Sequence, residues 1–120
     1  MPSIDDRTRL HHILDAATKA LSFTKGLSRS HLDSDEKLTL ALVRLLEIVG
    51  EAASQTTPET TNRYAEIPWK KIVGMRNQLI HGYAQVNLDI LWQTIKDDLP
   101  PLVTQLQRII DEAEPQQKLF

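Results

Sequence analysis

The sequence predicts an all-α fold, an antiparallel bundle of about five helices, and three observations predict it. Apolar residues recur at three- and four-residue intervals in nearly every segment. Runs with the two-residue alternation of a half-buried strand are nearly absent. Glycines and prolines mostly stand where helices should stop and start.

The elements follow in order. Leu10, Ile13, Leu14, Ala17 and Leu21 share one face of a first helix, with Ser3 and Asp6 as a capping pair and Gly26 as its stop. Leu38, Leu42, Leu45, Val49 and Ala52 form a stronger stripe on a second helix. Ser34 is read as its N-cap, with Asp35 and Glu36 in the first turn, where the helix dipole favours anions. The stretch from Ser54 to Ile67 is polar and threonine-rich, and Thr57-Pro58 is suited to open a single helical turn. Pro68 starts a helix running toward His81, with Gly82 as a left-handed terminator. Asn87 caps a further helix carrying Leu88, Leu91, Trp92, Ile95 and Leu99, which Pro100 and Pro101 should kink or break. Leu102, Leu106, Ile109 and Ala113 resume the period. Residues 1–114 are thus expected to form one domain, with 115–120 as a flexible tail. His31 falls in a loop on this reading. The small core and long stripes of a 120-residue bundle suggest that a second copy completes the burial, giving a homodimer.

Composition narrows the function. Hydrophobic residues make up 41% of the chain and charged residues 25%, values that fit a folded globular domain rather than a disordered segment. No apolar run approaches the roughly 20 residues needed to span a bilayer. Met1 to Leu10 is polar with no apolar core, so no secretory signal is expected and the chain is read as cytoplasmic. There is no cysteine, which excludes disulfides and thiolate metal sites. The formal charge of −2 means that any nucleic-acid contact must use a local basic patch, built within one subunit or across two.

The stretch that bears chemistry is Gly74-Met75-Arg76-Asn77-Gln78-Leu79-Ile80-His81-Gly82-Tyr83. On a continuous helix Asn77 and His81 are adjacent, and the amide can hold the imidazole in one tautomer. Arg76 and His81 would lie about 140° apart, so the chain must unwind near Gly82, or a second subunit must contribute, for both to reach one phosphate. Such a set suits cleavage at a ribose 2′-hydroxyl, which needs a proton acceptor, a proton donor and positive charge on the phosphorane. His81 can serve in proton transfer near neutral pH and Arg76 offers a planar fork to phosphate, so neither metal nor cofactor is called for. Tyr83 can orient either group or stack on a base. Lys70 and Lys71 can extend the phosphate path beside Arg76.

Plainer roles stand beside these. An Arg and a His near a helix end commonly make surface ion pairs or a cap, and lysines on a helix usually face solvent. His11 and His12 are adjacent and point to different faces, unlike helical metal ligands four apart. Glu47 and Glu51 are four apart but lack a matching carboxylate–histidine pair, and an ion pair with Arg44 or Arg76 suits them better. Trp69 and Trp92 fit core or interface packing.

Arg76, four residues, His81, one residue, then Tyr83 resembles the signature of the HepT-like toxins of the HEPN superfamily. Chance gives this three-residue pattern in well under about one per cent of chains this long. The likeness extends through Leu45-Leu46-Glu47-Ile48-Val49-Gly50-Glu51-Ala52, Ile67-Pro68-Trp69, Gly74-Met75-Arg76-Asn77, Leu88-Asp89-Ile90-Leu91-Trp92 and Asp98-Leu99-Pro100, from about Asp6 to Ile110. It implies a HEPN-type helical bundle that dimerises and cleaves RNA without metal, with Arg76 and His81 catalytic and Asn77 supporting. It also implies a partner, an MNT-type minimal nucleotidyltransferase antitoxin that transfers AMP to the motif tyrosine, here Tyr83. Gly82 departs from relatives that carry an acidic residue there. The alternative is a non-catalytic HEPN homodimer that binds a nucleotide or the nucleotidyltransferase; a third reading is a structural helical dimer whose motif is a salt-bridged helix end.

Overall fold

The computed structural model of the protein describes residues 4–81 and 85–114. The chain forms α1 (Ile4–Thr24), α2 (His31–Ser34), α3 (Glu36–Gln55), α4 (Pro58–Arg63) and α5 (Trp69–Leu79). Two strands of two residues follow, β1 (Ile80–His81) and β2 (Gln85–Val86). After them come α6 (Leu88–Gln93), a π-helical turn (Thr94–Asp98) and α7 (Leu99–Ala113). The all-α class read from the periodicity is the class observed.

α1 packs against α3 on one side and α7 on the other, and α3 packs against α5. Three contacts fix the directions. Asp6 at the start of α1 bonds to Thr57 and Thr60 beyond the end of α3. His11 meets Glu114 at the end of α7, 3.0 Å away. Lys96 donates to the carbonyl oxygen of Thr24, the last residue of α1, at 3.2 Å. Each neighbour therefore runs antiparallel to α1. The shared core holds Leu10, Ile13, Leu42, Leu46, Ile95 and Leu106, all within 1% of full burial. At roughly 25 cal/mol per Å² of apolar surface, such side chains contribute about 1.5–3 kcal/mol each.

α1 ends as its sequence foretells, at Gly26 with φ +77°, a left-handed conformation that costs glycine nothing. Asp6 serves otherwise than as a capping partner of Ser3, which lies outside the described residues. It is fully buried, and its carboxylate accepts from the hydroxyls of Thr57 and Thr60, both at 2.5 Å, from the Thr57 amide and from Arg9.

The N-cap of α3 is Asp35, not Ser34. Ser34 is taken up by α2, so Asp35 is the first residue with extended backbone, and its side chain accepts from the Leu38 amide at 3.0 Å. His31 accordingly begins a short helix rather than lying in a loop.

Pro100 and Pro101 do not break the last helix. Proline disrupts a helix interior because it lacks an N–H and crowds the carbonyl four residues back. Here the backbone widens first: the Leu99 amide reaches back five residues to the Thr94 carbonyl oxygen. Both prolines then sit in the first turn of α7, where the missing donor matters least. The expected tail from Pro115 lies outside the described residues.

Candidate functional site

α5 starts where Pro68 places it, the Ile72 amide donating to the Pro68 carbonyl oxygen at 3.0 Å. It ends at Leu79, two residues before the expected stop at His81. Leu79 is fully buried, and its carbonyl oxygen accepts from the Asn87 amide at 2.8 Å. The chain between these two residues turns into an antiparallel pair, Ile80 opposite Val86 and His81 opposite Gln85. Asn87 then caps α6 by accepting from the Ile90 amide at 3.0 Å. The helix-terminating signal was assigned to Gly82, but the hairpin hydrogen bonds claim the backbone earlier.

Arg76 and His81 therefore sit on opposite sides of a helix-to-strand junction. The 140° separation of a continuous helix does not apply to them, and neither does the four-apart pairing of Asn77 with His81. Unwinding near Gly82 is one of the two routes expected to bring Arg76 and His81 to one phosphate, a second subunit being the other; the helix gives way earlier, at Ile80. Arg76 is half-buried, its stem beside α3 at Gly50, where an added Cβ would lie 3.8 Å from the Cβ of Arg76. Its side chain makes no hydrogen bond or ion pair among the described residues, whereas Asn77 and Gln78 are exposed. Tyr83 and Gly82 lie outside the described residues.

The two lysines read together from the sequence take different sides of α5. Lys71 bonds to Asp98 at 3.1 Å, on the rim of a cavity of about 260 Å³ between α5 and α7. Val49, Ile72, Met75, Leu99 and Leu102 give that cavity an apolar wall. Lys70 lines a more open groove of about 400 Å³ where α3, α4 and α5 meet, with Ser54, Thr61, Trp69 and Gly74. It has no ion-pair partner among the described residues. Neither recess was legible in the sequence: the cavity joins α5 to the distant α7, and the groove depends on how the consecutive α3, α4 and α5 pack together.

The remaining candidates fall into structural roles. His11 bonds to Glu114, and His31 packs its Nδ1 beside Ser28, whose amide donates to it at 3.1 Å. His12 is exposed in a groove between α1 and α3. Glu47 pairs with Arg44 at 3.9 Å. Among the described residues no group of three or more His, Cys, Asp or Glu is placed to hold a metal ion. Trp69 and Trp92 both pack partly buried against the core, as their spacing suggests. No helix is long and apolar enough to cross a membrane among the described residues.

The clearest perturbed ionisation belongs to Asp6. Burial works against its charge, but the hydrogen bonds from Thr57, Thr60 and Arg9 outweigh this and hold its carboxyl below the usual range. The residue is a structural tie between α1 and α4, distant in sequence from the motif.

A small helical bundle with an Arg–His junction at the end of one helix defines a class that comparison with known proteins makes specific. A family described as ribonuclease HepT-like matches residues 13–109. A protein named "Putative RNase" in Caldanaerobacter subterraneus subsp. tengcongensis is 40% identical over 108 residues, covering 90% of this chain and 96% of its own. One of the same description in Methanocaldococcus jannaschii is 31% identical over 114 residues, covering 95% and 94%. "Probable ribonuclease HepT" of Thermococcus cleftensis is 33% identical over 100 residues, covering 83% and 91%. No solved structure matches the chain. The chain belongs to the HepT-like ribonuclease family, of HEPN type.

Proposed function

We propose that the protein is the toxin of a two-component toxin–antitoxin pair, a homodimeric endoribonuclease that needs no metal. The observation that carries this reading is the junction at the end of α5. Arg76, a cation with no described partner, stands one turn before the helix gives way to the strand bearing His81.

Arg76 binds the scissile phosphate through its guanidinium fork and stabilises the charge that develops there. His81 takes the proton from the attacking 2′-hydroxyl, which forms a bond to phosphorus. The proton is then returned to the departing 5′-oxygen as its bond to phosphorus breaks. Asn77, exposed on the last turn of α5, supports this chemistry as a positioning residue. Phe23 and Leu40 are large apolar side chains left exposed, which favours association of two copies.

Control acts through Tyr83. Tyr83 follows His81 by two residues in the sequence. An MNT-type nucleotidyltransferase would transfer AMP from ATP to the phenol oxygen, releasing pyrophosphate. The added phosphate and base would then occupy the space that substrate phosphate needs.

The test is degradation of RNA by the purified protein in EDTA, and its loss in His81→Ala. RNA bound but not cleaved, with His81→Ala unchanged, would favour the non-catalytic binding homodimer instead. A monomer by light scattering at micromolar concentration would remove the homodimer from the reading.

A further inference from the structure

We propose that the groove where α3, α4 and α5 meet seats the backbone of single-stranded RNA and leads it past Lys70 and Gly74 toward Arg76. The inference rests on the ribonuclease reading above and assigns the side of α5 along which the substrate runs.

The first observation is the divergence of the two lysines. Lys71 has its charge neutralised by Asp98 at 3.1 Å and faces the apolar cavity toward α7. Lys70 lines the groove with no ion-pair partner among the described residues. On α5 the spacing of Lys70, Gly74 and Asn77, four residues then three, puts all three on one face. Arg76 lies about 9 Å further along the helix axis than Lys70. Arg76 lies about 120° round the helix from Lys70 and shares a face with Trp69 and Val73, which also line the groove, so a strand that follows that wall meets Trp69 and Lys70 first and Arg76 last.

The second observation is shape. An added Cβ at Gly74 would meet nothing within 4 Å, so the glycine leaves the wall of the groove open. Trp69 supplies a fixed wall, because its indole N–H donates to the Tyr64 carbonyl oxygen at 3.0 Å and holds the ring in place. Ser54 and Thr61 line the groove with hydroxyls that donate to the carbonyl oxygens of Glu51 and Pro58 and keep lone pairs for a ribose hydroxyl.

The third observation is charge. The chain as a whole carries −2, with 14 Lys and Arg against 16 Asp and Glu. Residues 56–81 reverse this, with four cations (Arg63, Lys70, Lys71, Arg76) against two carboxylates (Glu59, Glu66), a net of +2. Glu66 is itself paired with Arg108. Of the three cations of α5, Lys71 is neutralised by Asp98, while Lys70 and Arg76 have no ion-pair partner among the described residues and remain available to a polyanion.

The test measures binding of a fluorescein-labelled single-stranded RNA of mixed sequence by anisotropy, in the full chain carrying His81→Ala so that the probe stays intact. Lys70→Gln and Lys71→Gln remove the same charge and differ only in place. Lys70→Gln is expected to weaken binding about fivefold and to flatten the log–log salt dependence by about 0.7. Lys71→Gln is expected to leave both near the parent. Gly74→Leu changes no charge and fills the groove, so it should weaken binding by about tenfold or more with an unchanged or higher melting temperature. If the two lysine variants are indistinguishable, or Gly74→Leu binds as the parent does, the groove is not the path. Should Gly74→Leu fold poorly, the exposed Lys70 pair still decides. Cleavage by the wild type alongside normal binding by the groove variants overturns the groove alone. Binding that depends on Lys70 and Gly74, with no cleavage by the wild type, supports the groove and overturns the catalytic reading.

Discussion

The amide of Asn87 donates to the carbonyl oxygen of Leu79 across 2.8 Å, so the last turn of α5 is locked to the residue that starts α6. Between these two residues lies the His81 segment, and outside them lie Arg76 on one side and the body of α6 on the other. Asn87 also accepts from the Ile90 amide, so one side chain and one amide set both ends of the connection. Arg29 reinforces it by bonding to Asp89 at 2.8 Å. Replacing Asn87 by Ala removes the cap and should cost about 1 kcal/mol of stability. Activity should fall by more than that loss of folded protein explains, measured as kcat at a temperature where the variant is fully folded.

Arg76→Lys keeps the charge and loses the planar fork. Since Arg76 forms no described ion pair, its replacement should leave the melting temperature nearly unchanged. RNA cleavage should drop about 10²-fold. Steady-state kinetics beside thermal melts check this, and a variant with wild-type kcat would remove Arg76 from the chemistry.

Asp6 predicts a pH dependence of folding. Its folded pKa is lowered from an ordinary value of about 3.8. A lowered carboxyl stabilises the fold fully above the unfolded value and loses that contribution as pH falls through the folded value. Acid should therefore weaken the wild type progressively below about pH 4. Asp6→Ala should cost about 2 kcal/mol at neutral pH. Its stability should change less over the acid range, as chemical denaturation at several pH values would reveal.

Tyr83→Phe keeps the ring and removes the oxygen proposed to accept AMP. Co-expressed with an MNT-type nucleotidyltransferase, the wild type should gain the mass of one or more AMP groups on the Tyr83 peptide. The Phe variant should gain none and should remain toxic. Suppressed toxicity without added mass on the wild type would mean that the antitoxin acts by occlusion alone.

What the sequence revealed and what it hid divide along physical lines. Helical periodicity marked the buried faces of α1, α3 and α7, because 3.6-residue spacing is a local property that packing then uses. Glycine and cap signals worked where nothing competed, at Gly26 and Asn87. They misled where a neighbouring element claimed the same groups. α2 consumed Ser34 and passed the cap to Asp35, and the hairpin consumed Ile80 and His81 and ended α5 early. Pro100 and Pro101 were read as a break because a π-helical turn has no signature in spacing alone. Lys70 and Lys71 looked alike in sequence; only the arrival of Asp98 from the other side of α5 separates them.

The central claim is that His81 carries a metal-independent cleavage of RNA, and one measurement tests it most directly. Wild type and His81→Ala, matched in melting temperature, are incubated with labelled RNA in excess EDTA, and the products are resolved by length. The account predicts discrete cleavage by the wild type and none above background by His81→Ala. Equal cleavage by both proteins, or wild-type cleavage that appears only when divalent metal is restored, would contradict it.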